Sequence, residues 1–244
     1  MHTKPDFVIS EPTWYDYFDS SAIAENHNHV FQISLAECFI SIAGNLKAVV
    51  SGKEIEKATR FKNDQDAQRY LATRYILRKL ISNTTGQHPA LVSFNEGKNR
   101  KPIIDGIEFN ISHSANSILI ALSSGPIGID VEHINRHFDY QELIPHCFDL
   151  DEQRFINTAT HKSARFYALW TRKEAILKAT GEGLIDDLTA LNCLSPEYKE
   201  AGYNFRVQTY ILGPDYVFTL ASSQIAKTIF WNYQTQNPVY ANHR

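Results

Sequence analysis

Pro126-Ile127-Gly128-Ile129-Asp130-Val131-Glu132 alternates apolar, β-branched residues with small or acidic ones, and that alternation predicts a strand. Side chains two apart on a strand share a face, so Asp130 and Glu132 stand side by side. Two carboxylates on a mostly apolar strand repel each other, which is costly without a cation between them. A hard divalent ion such as Mg2+, bound through oxygen, meets that demand. The pair alone leaves a plainer reading open, that of a solvated strand end running into His133-Ile134-Asn135-Arg136, since exposed carboxylates are common.

Outward from this strand, the chain reads as two similar halves. Residues 66–81 and 163–179 both carry apolar residues at helical spacing. Shifting one onto the other pairs Tyr70 with Tyr167, Leu80 with Leu177 and Gly86 with Gly183. Each helix is followed later by a strand ending in a serine pair, at 117–124 and 216–223. The repeat predicts two related α+β halves joined near Ser124-Gly125-Pro126, with one half in residues 1–124 and the other in 125–244. Ser51-Gly52-Lys53-Glu54 is a capping box opening a short helix through Ala58. Asn95 to Asp105 reads as a polar loop, Thr228 to Trp231 as a strand, and Gln234 to Pro238 as a loose tail. The first 25 residues are rich in aromatics (Trp14, Tyr15, Tyr17, Phe18) but without pattern.

Composition narrows the function classes. The 244 residues are 43% hydrophobic and 12% aromatic, enough for a packed core. No apolar run approaches the ~20 residues that span a bilayer, and the N-terminus lacks the apolar core of a secretion signal. Three scattered cysteines, Cys38, Cys147 and Cys193, suit reduced thiols in a cytoplasmic protein. His146-Cys147 has no second ligand pair of zinc type.

The net charge of −3 conceals an asymmetry: residues 57–101 hold ten Lys/Arg against three acids, and residues 130–200 hold thirteen acids against eight Lys/Arg. A basic half beside an acidic half suits a polyphosphate ligand with a metal at one end. Nucleic acid fits less well, because the basic residues follow no recognisable motif.

On the second helix, Glu174 and Lys178 border the apolar stripe of Phe166, Leu169, Trp170 and Leu177. By themselves they read as an i,i+4 ion pair worth about 0.3–0.5 kcal/mol. Beside Asp130 and Glu132, Glu174 would complete a set of hard ligands with positions open for phosphate oxygens. His113, in Phe109-Asn110-Ile111-Ser112-His113-Ser114, lies where a strand enters a serine-rich turn that can offer hydrogen bonds to a phosphate. A lone histidine there, like a lone Lys101, is more often structural or solvated.

These stretches together carry a resemblance. Gly128-Ile129-Asp130-Val131-Glu132, followed by Trp170-Thr171-Arg172-Lys173-Glu174-Ala175-Ile176-Leu177-Lys178, resembles the paired signature of the 4′-phosphopantetheinyl transferases, of the surfactin-synthetase-activating type with two halves in one chain. Residues 109–114, Arg100-Lys101-Pro102, and 50–61 resemble further motifs of that family, in the same order. The resemblance spans about residues 30 to 233. Arg100 stands where the family usually has glycine, and Thr171 where serine is more usual.

The resemblance implies an α+β fold of two pseudo-two-fold-related halves, each a small, mainly antiparallel sheet packed on a long helix, with the active site in the cleft between them. It implies transfer of the 4′-phosphopantetheine arm from coenzyme A to a serine of an acyl or peptidyl carrier protein, releasing 3′,5′-ADP. By the same resemblance Asp130, Glu132 and Glu174 hold Mg2+. Glu174 acts as base, directly or through a metal-bound water, and Lys178 stabilises charge on the pyrophosphate. Lys57, Arg60, Lys101, Pro102, Ser112 and His113 bind the nucleotide and its phosphates. A self-contained monomer is expected, with neither nucleic acid nor membrane as partner. A module that binds coenzyme A or a carrier protein without catalysis is the alternative.

Overall fold

The computed structural model describes residues 7–18, 21, 23–24, 26–97, 101–183 and 185–235. The first part of the chain carries β1 (Ile9–Ser10), β2 (Trp14–Phe18), β3 (Asn28–Ser34), α1 (Leu35–Ile42), α2 (Leu46–Val49), α3 (Gly52–Ala58), α4 (Asp64–Thr85), β4 (Asn95–Glu96), β5 (Pro102–Ile103), β6 (Glu108–Ser114) and β7 (Ser117–Ser123). There follow β8 (Ile127–His133), α5 (Ile144–Cys147), α6 (Leu150–Asn157), α7 (Lys162–Thr180), β9 (Glu197–Glu200), β10 (Tyr203–Leu212), β11 (Tyr216–Ser222) and β12 (Thr228–Gln234). The strand expected around Asp130, the two long helices and the short helix opened by Ser51 all form.

Strand alternation sorts side chains into layers. On β7, Ile118, Ile120 and Leu122 pack with Tyr75, Ile76, Leu77 and Leu80 of α4. The intervening Leu119 and Ala121 meet Ile127, Ile129 and Val131 of β8 and Phe218 and Leu220 of β11, in an apolar layer between two sheets. The other face of the second sheet, with Phe205, Val207, Val217 and Ala221, packs on α7 through Phe166, Leu169 and Ile176. The result is an α+β stack of helix, sheet, sheet and helix.

The halves repeat in topology. The run β3–β7–β6 in one sheet corresponds to β8–β11–β10 in the other, antiparallel throughout. The repeat extends to buried charge. Capping boxes open both α3, at Ser51 with Glu54, and α6, at Asp149 with Glu152. Glu54 pairs with Arg74 and Arg78 of α4, and Glu152 with Lys173 of α7. Arg78 donates on to the carbonyls of Pro89 and Val92, and Lys173 to those of Leu188 and Leu191. In each half, then, a cation on the long helix ties the box glutamate to the short 3-10 turn that follows.

Two expectations change. Both long helices close on a left-handed glycine, but the partner of Gly86 is Gly181, not Gly183. α7 is shorter than α4, so no single offset relates helices and strands together. The chain ends also cross between the sheets. β1 pairs in parallel with β10, while β12 lies between β2 and β3, parallel to both. A division at 124/125 therefore leaves one strand of each sheet on the other side.

The aromatics of the N-terminal segment serve this crossing: Trp14 packs against Phe218 and Phe230 in the layer between sheets, and Tyr17 against Phe31. The polar loop after Phe94 contains the short antiparallel pair β4 and β5; Arg100 lies outside the described residues, as does the tail beyond Thr235. No helix is long and apolar enough to cross a membrane among the described residues.

Candidate active site

β6 and β8 each form an edge of their sheet and meet where the two halves join. An exposed strand edge leaves backbone N–H groups to be satisfied. Here side chains at alternate positions of β6 do so: Asn110 Oδ1 accepts from the Ile129 N–H (3.0 Å), Ser112 Oγ from Val131 (3.2 Å) and Ser114 Oγ from His133 (3.0 Å). The two serines also donate to the acids, Ser112 to Asp130 Oδ1 (2.9 Å) and Ser114 to Glu132 Oε2 (3.0 Å). Both acids therefore face the same side, as their spacing requires.

α7 brings the remaining charged groups. It crosses β8 over Gly128, where any β-carbon would overlap the backbone of Ala175 and Ala179. This close approach sets Glu174 and Lys178, the half-exposed positions of a buried turn, beside the acidic strand. Lys178 Nζ pairs with Asp130 Oδ1 at 2.6 Å and donates to Ser112 Oγ at 3.2 Å. The sequence had offered Glu174 as its i,i+4 partner; the ion pair is made with Asp130 instead.

All three carboxyls hold protons more tightly than usual. Burial raises Asp130, against the opposing effect of Lys178. Burial and then the neighbouring Asp130 raise both Glu132 and Glu174. Asp130 Oδ2 is buried without a hydrogen-bond partner. Among the described residues, no group of three or more His, Cys, Asp and Glu side chains is placed so that it could hold a metal ion as it stands. Yet an orphaned carboxylate oxygen and three acids short of positive charge are a donor set that suits a hard divalent cation.

On the opposite face of β6, a cleft of about 540 Å3 opens against α4. Lys57, Arg69, Arg74 and His113 supply its basic lining, and Phe61, Tyr70 and Phe94 its aromatic lining. Arg74 lies 3.9 Å from the centre of the Phe94 ring, and Lys57 5.1 Å from that of Tyr70. Arg69 pairs with Asp66, but its Nε is buried without a partner, as is the hydroxyl of Thr73. Burial, then the charges of Arg69 and Lys178, hold His113 below its ordinary value. β6 thus separates a basic, aromatic-walled cleft from an acidic cluster by the thickness of one strand.

Comparison with known proteins identifies the family. Residues 23–125 match the family model described as 4′-phosphopantetheinyl transferase, N-terminal, and residues 126–221 match that of the 4′-phosphopantetheinyl transferase superfamily. The 4′-phosphopantetheinyl transferase HetI of Nostoc sp. is 31% identical over 181 residues, 70% of this chain and 76% of its own. The chain belongs to the 4′-phosphopantetheinyl transferase superfamily. The Sfp transferase of Bacillus subtilis strain 168 is 28% identical over 71% of this chain and 82% of its own.

Within this transferase, the residues singled out from sequence fall into three groups. Asp130, Glu132, Glu174 and Lys178 come together around the β6–β8 seam. Lys57, Pro102 and His113 line the cleft. The others do not line it. Arg60 is exposed and pairs with Glu56. Lys101 is half-buried, its proton held less tightly because of burial, with Glu108 opposing. Ser112 is buried and committed to Asp130, Lys178 and the Val131 N–H. Sequence reasoning missed Arg69, Tyr70, Thr73 and Arg74. Their signal was available: with Asp66 they recur at i+3, i+4, i+7 and i+8, the spacing of one helical face.

Proposed function

We propose that this transferase moves 4′-phosphopantetheine from coenzyme A to a serine of an acyl or peptidyl carrier protein, releasing 3′,5′-ADP in a Mg2+-dependent reaction. The observation that carries this reading is the pairing of a basic, aromatic-walled cleft with a cation-poor acidic cluster across β6. The cleft suits the nucleotide and phosphates of coenzyme A, with Lys57, Arg69 and His113 as donors. Residues 1–124 supply most of that cleft in this reading, and residues 125–244 the acids.

Asp130, Glu132 and Glu174 are the residues that would hold Mg2+, which when bound neutralises pyrophosphate charge. The carrier's serine oxygen attacks the β-phosphorus, and the bond to the oxygen shared with the α-phosphorus breaks. The serine proton passes to Glu174, directly or through an intervening water. Lys178 stabilises negative charge growing on the phosphate oxygens, and its bond to Asp130 keeps it aimed there meanwhile. A monomer in the cytoplasm is part of the same reading.

The test is direct. The protein is incubated with coenzyme A, Mg2+ and an apo carrier protein, and the carrier is weighed by mass spectrometry. A gain of one phosphopantetheine supports transfer, and its absence on omitting Mg2+ supports the metal. Binding of coenzyme A without any mass gain would instead support a non-catalytic module.

A further inference from the structure

We propose that Ser114 is a positioning residue of the active centre, which holds the Glu132 carboxylate in its working orientation before any cation arrives. The inference rests on the carboxylate reading given above and concerns a residue that reading does not use.

The argument starts from the three polar side chains that β6 offers to β8. Asn110, Ser112 and Ser114 do the same backbone task, each accepting from one N–H of the facing edge. They differ in what they do next. Asn110 stands level with Gly128, where β8 has no side chain to orient. Ser112 and Ser114 stand level with Asp130 and Glu132, and there the residue is a serine. One hydroxyl oxygen both accepts from an N–H and donates to a carboxylate. Each acid is thereby tethered, through one oxygen, to the backbone N–H of the residue that follows it: Asp130 through Ser112 to Val131, and Glu132 through Ser114 to His133.

The tether matters more for Glu132. Asp130 is buried, short, and also held by Lys178. Glu132 is half-buried and has one more rotatable bond, and its neighbour Asp130 repels it. Among the described residues, its only hydrogen-bond donor is Ser114. Without that bond the carboxylate would relax toward water, away from Asp130, and a cation would have to reassemble the pair on binding. Groups that orient metal ligands typically contribute 10–100-fold in affinity.

The test uses Mn2+ as the probe, with its free concentration followed by electron paramagnetic resonance, so that binding is read apart from turnover. Ser114→Ala should weaken Mn2+ binding about tenfold or more, while Ser114→Thr, which keeps the hydroxyl, stays within about threefold of the parent protein. Asn110→Ala is the control: it removes a backbone cap of the same kind and should leave Mn2+ affinity unchanged whatever it does to the melting temperature. At saturating metal the KM for coenzyme A should not move in Ser114→Ala, whereas turnover at limiting metal should fall. Unchanged Mn2+ affinity in Ser114→Ala, or an equal loss in Asn110→Ala, would overturn the proposal. Asp130→Ala separates the two readings. If it too binds Mn2+ normally, the carboxylate site itself is wrong; if it alone loses the ion, only the role of Ser114 is.

Discussion

Gly128 and Ala175 are in such close contact that no other residue type fits between strand and helix: a β-carbon on Gly128 would overlap the Ala175 carbonyl oxygen. The contact seats α7 over β8 and so sets how far Glu174 and Lys178 stand from Asp130. Gly128→Ala must push the helix away. Overpacking of this kind costs about 1–3 kcal/mol, and urea denaturation should show a loss at least that large. Transfer activity should fall further than stability does, because the acidic cluster opens. A variant with parental stability and turnover would contradict the account of the seam.

Asp130→Ala and Glu174→Ala should each abolish transfer while leaving the circular dichroism spectrum intact. Lys178 is 29% exposed in its side chain, so water can take over its solvation when Asp130 is removed. Turnover near that of the parent in either variant, with Mg2+ and carrier in excess, would remove the basis for the metal assignment.

Arg69→Ala should raise the KM for coenzyme A while kcat changes little. Arg69 lines the cleft with an unpartnered, buried Nε, and a hydrogen bond to a charged group is worth about 1.5–3 kcal/mol, or roughly 10–100-fold. Lys101→Ala, whose side chain does not line the cleft, should have the smaller effect. Steady-state kinetics on the two variants side by side decides the order.

Acid should weaken the first half through His29. This ring is 2% exposed; its Nδ1 accepts from the Trp231 indole N–H, and its Nε2 contacts the Ala24 carbonyl at 2.9 and 2.8 Å respectively. Protonation at Nδ1 would place a proton where the indole already donates. Burial lowers the folded pKa below the ordinary 6.5, so the unfolded chain binds the proton more readily. The contribution is therefore complete above about pH 6.5 and is lost as pH falls below it. Unfolding free energies measured from pH 8 to 5 should decline in the parent and less steeply in His29→Gln.

Lys173→Met should be among the most destabilising substitutions remote from the cleft. Lys173 and Glu152 are 1% and 0% exposed, and leaving one charge of a buried pair uncompensated costs about 3–5 kcal/mol. Adding Glu152→Leu should not restore stability fully. The pair also serves the carbonyls of Leu188 and Leu191 and the N–H groups of Asp149 and Cys193, which apolar residues cannot satisfy. Chemical denaturation of both variants measures this.

Much of this was legible in the sequence wherever a pattern is local. The alternation around Asp130, the helical spacing in α4 and α7 and the Ser51 capping box each follow from short-range geometry. The shared side of Asp130 and Glu132 follows from strand pleat alone. What escaped depends on partners far along the chain. Ser112 reads as a phosphate donor until β8 is seen to occupy it. Arg69 and Thr73 share one helical face by spacing alone, but the cleft over that face exists only once β6 and Phe94 close it. β1 and β2 are short, and their sheet partners are set by tertiary packing rather than by any pattern of their own.

Because β12 is inserted between β2 and β3, the first sheet cannot close while the ribosome is still making the second. A nascent chain that has emerged through β7 has an open row of amide and carbonyl groups along β3, waiting for Thr228 and its neighbours. Such distant pairing delays folding and exposes sticky edges meanwhile. The enzyme should therefore mature only after synthesis has passed β12, and truncations short of that strand should be insoluble rather than merely inactive.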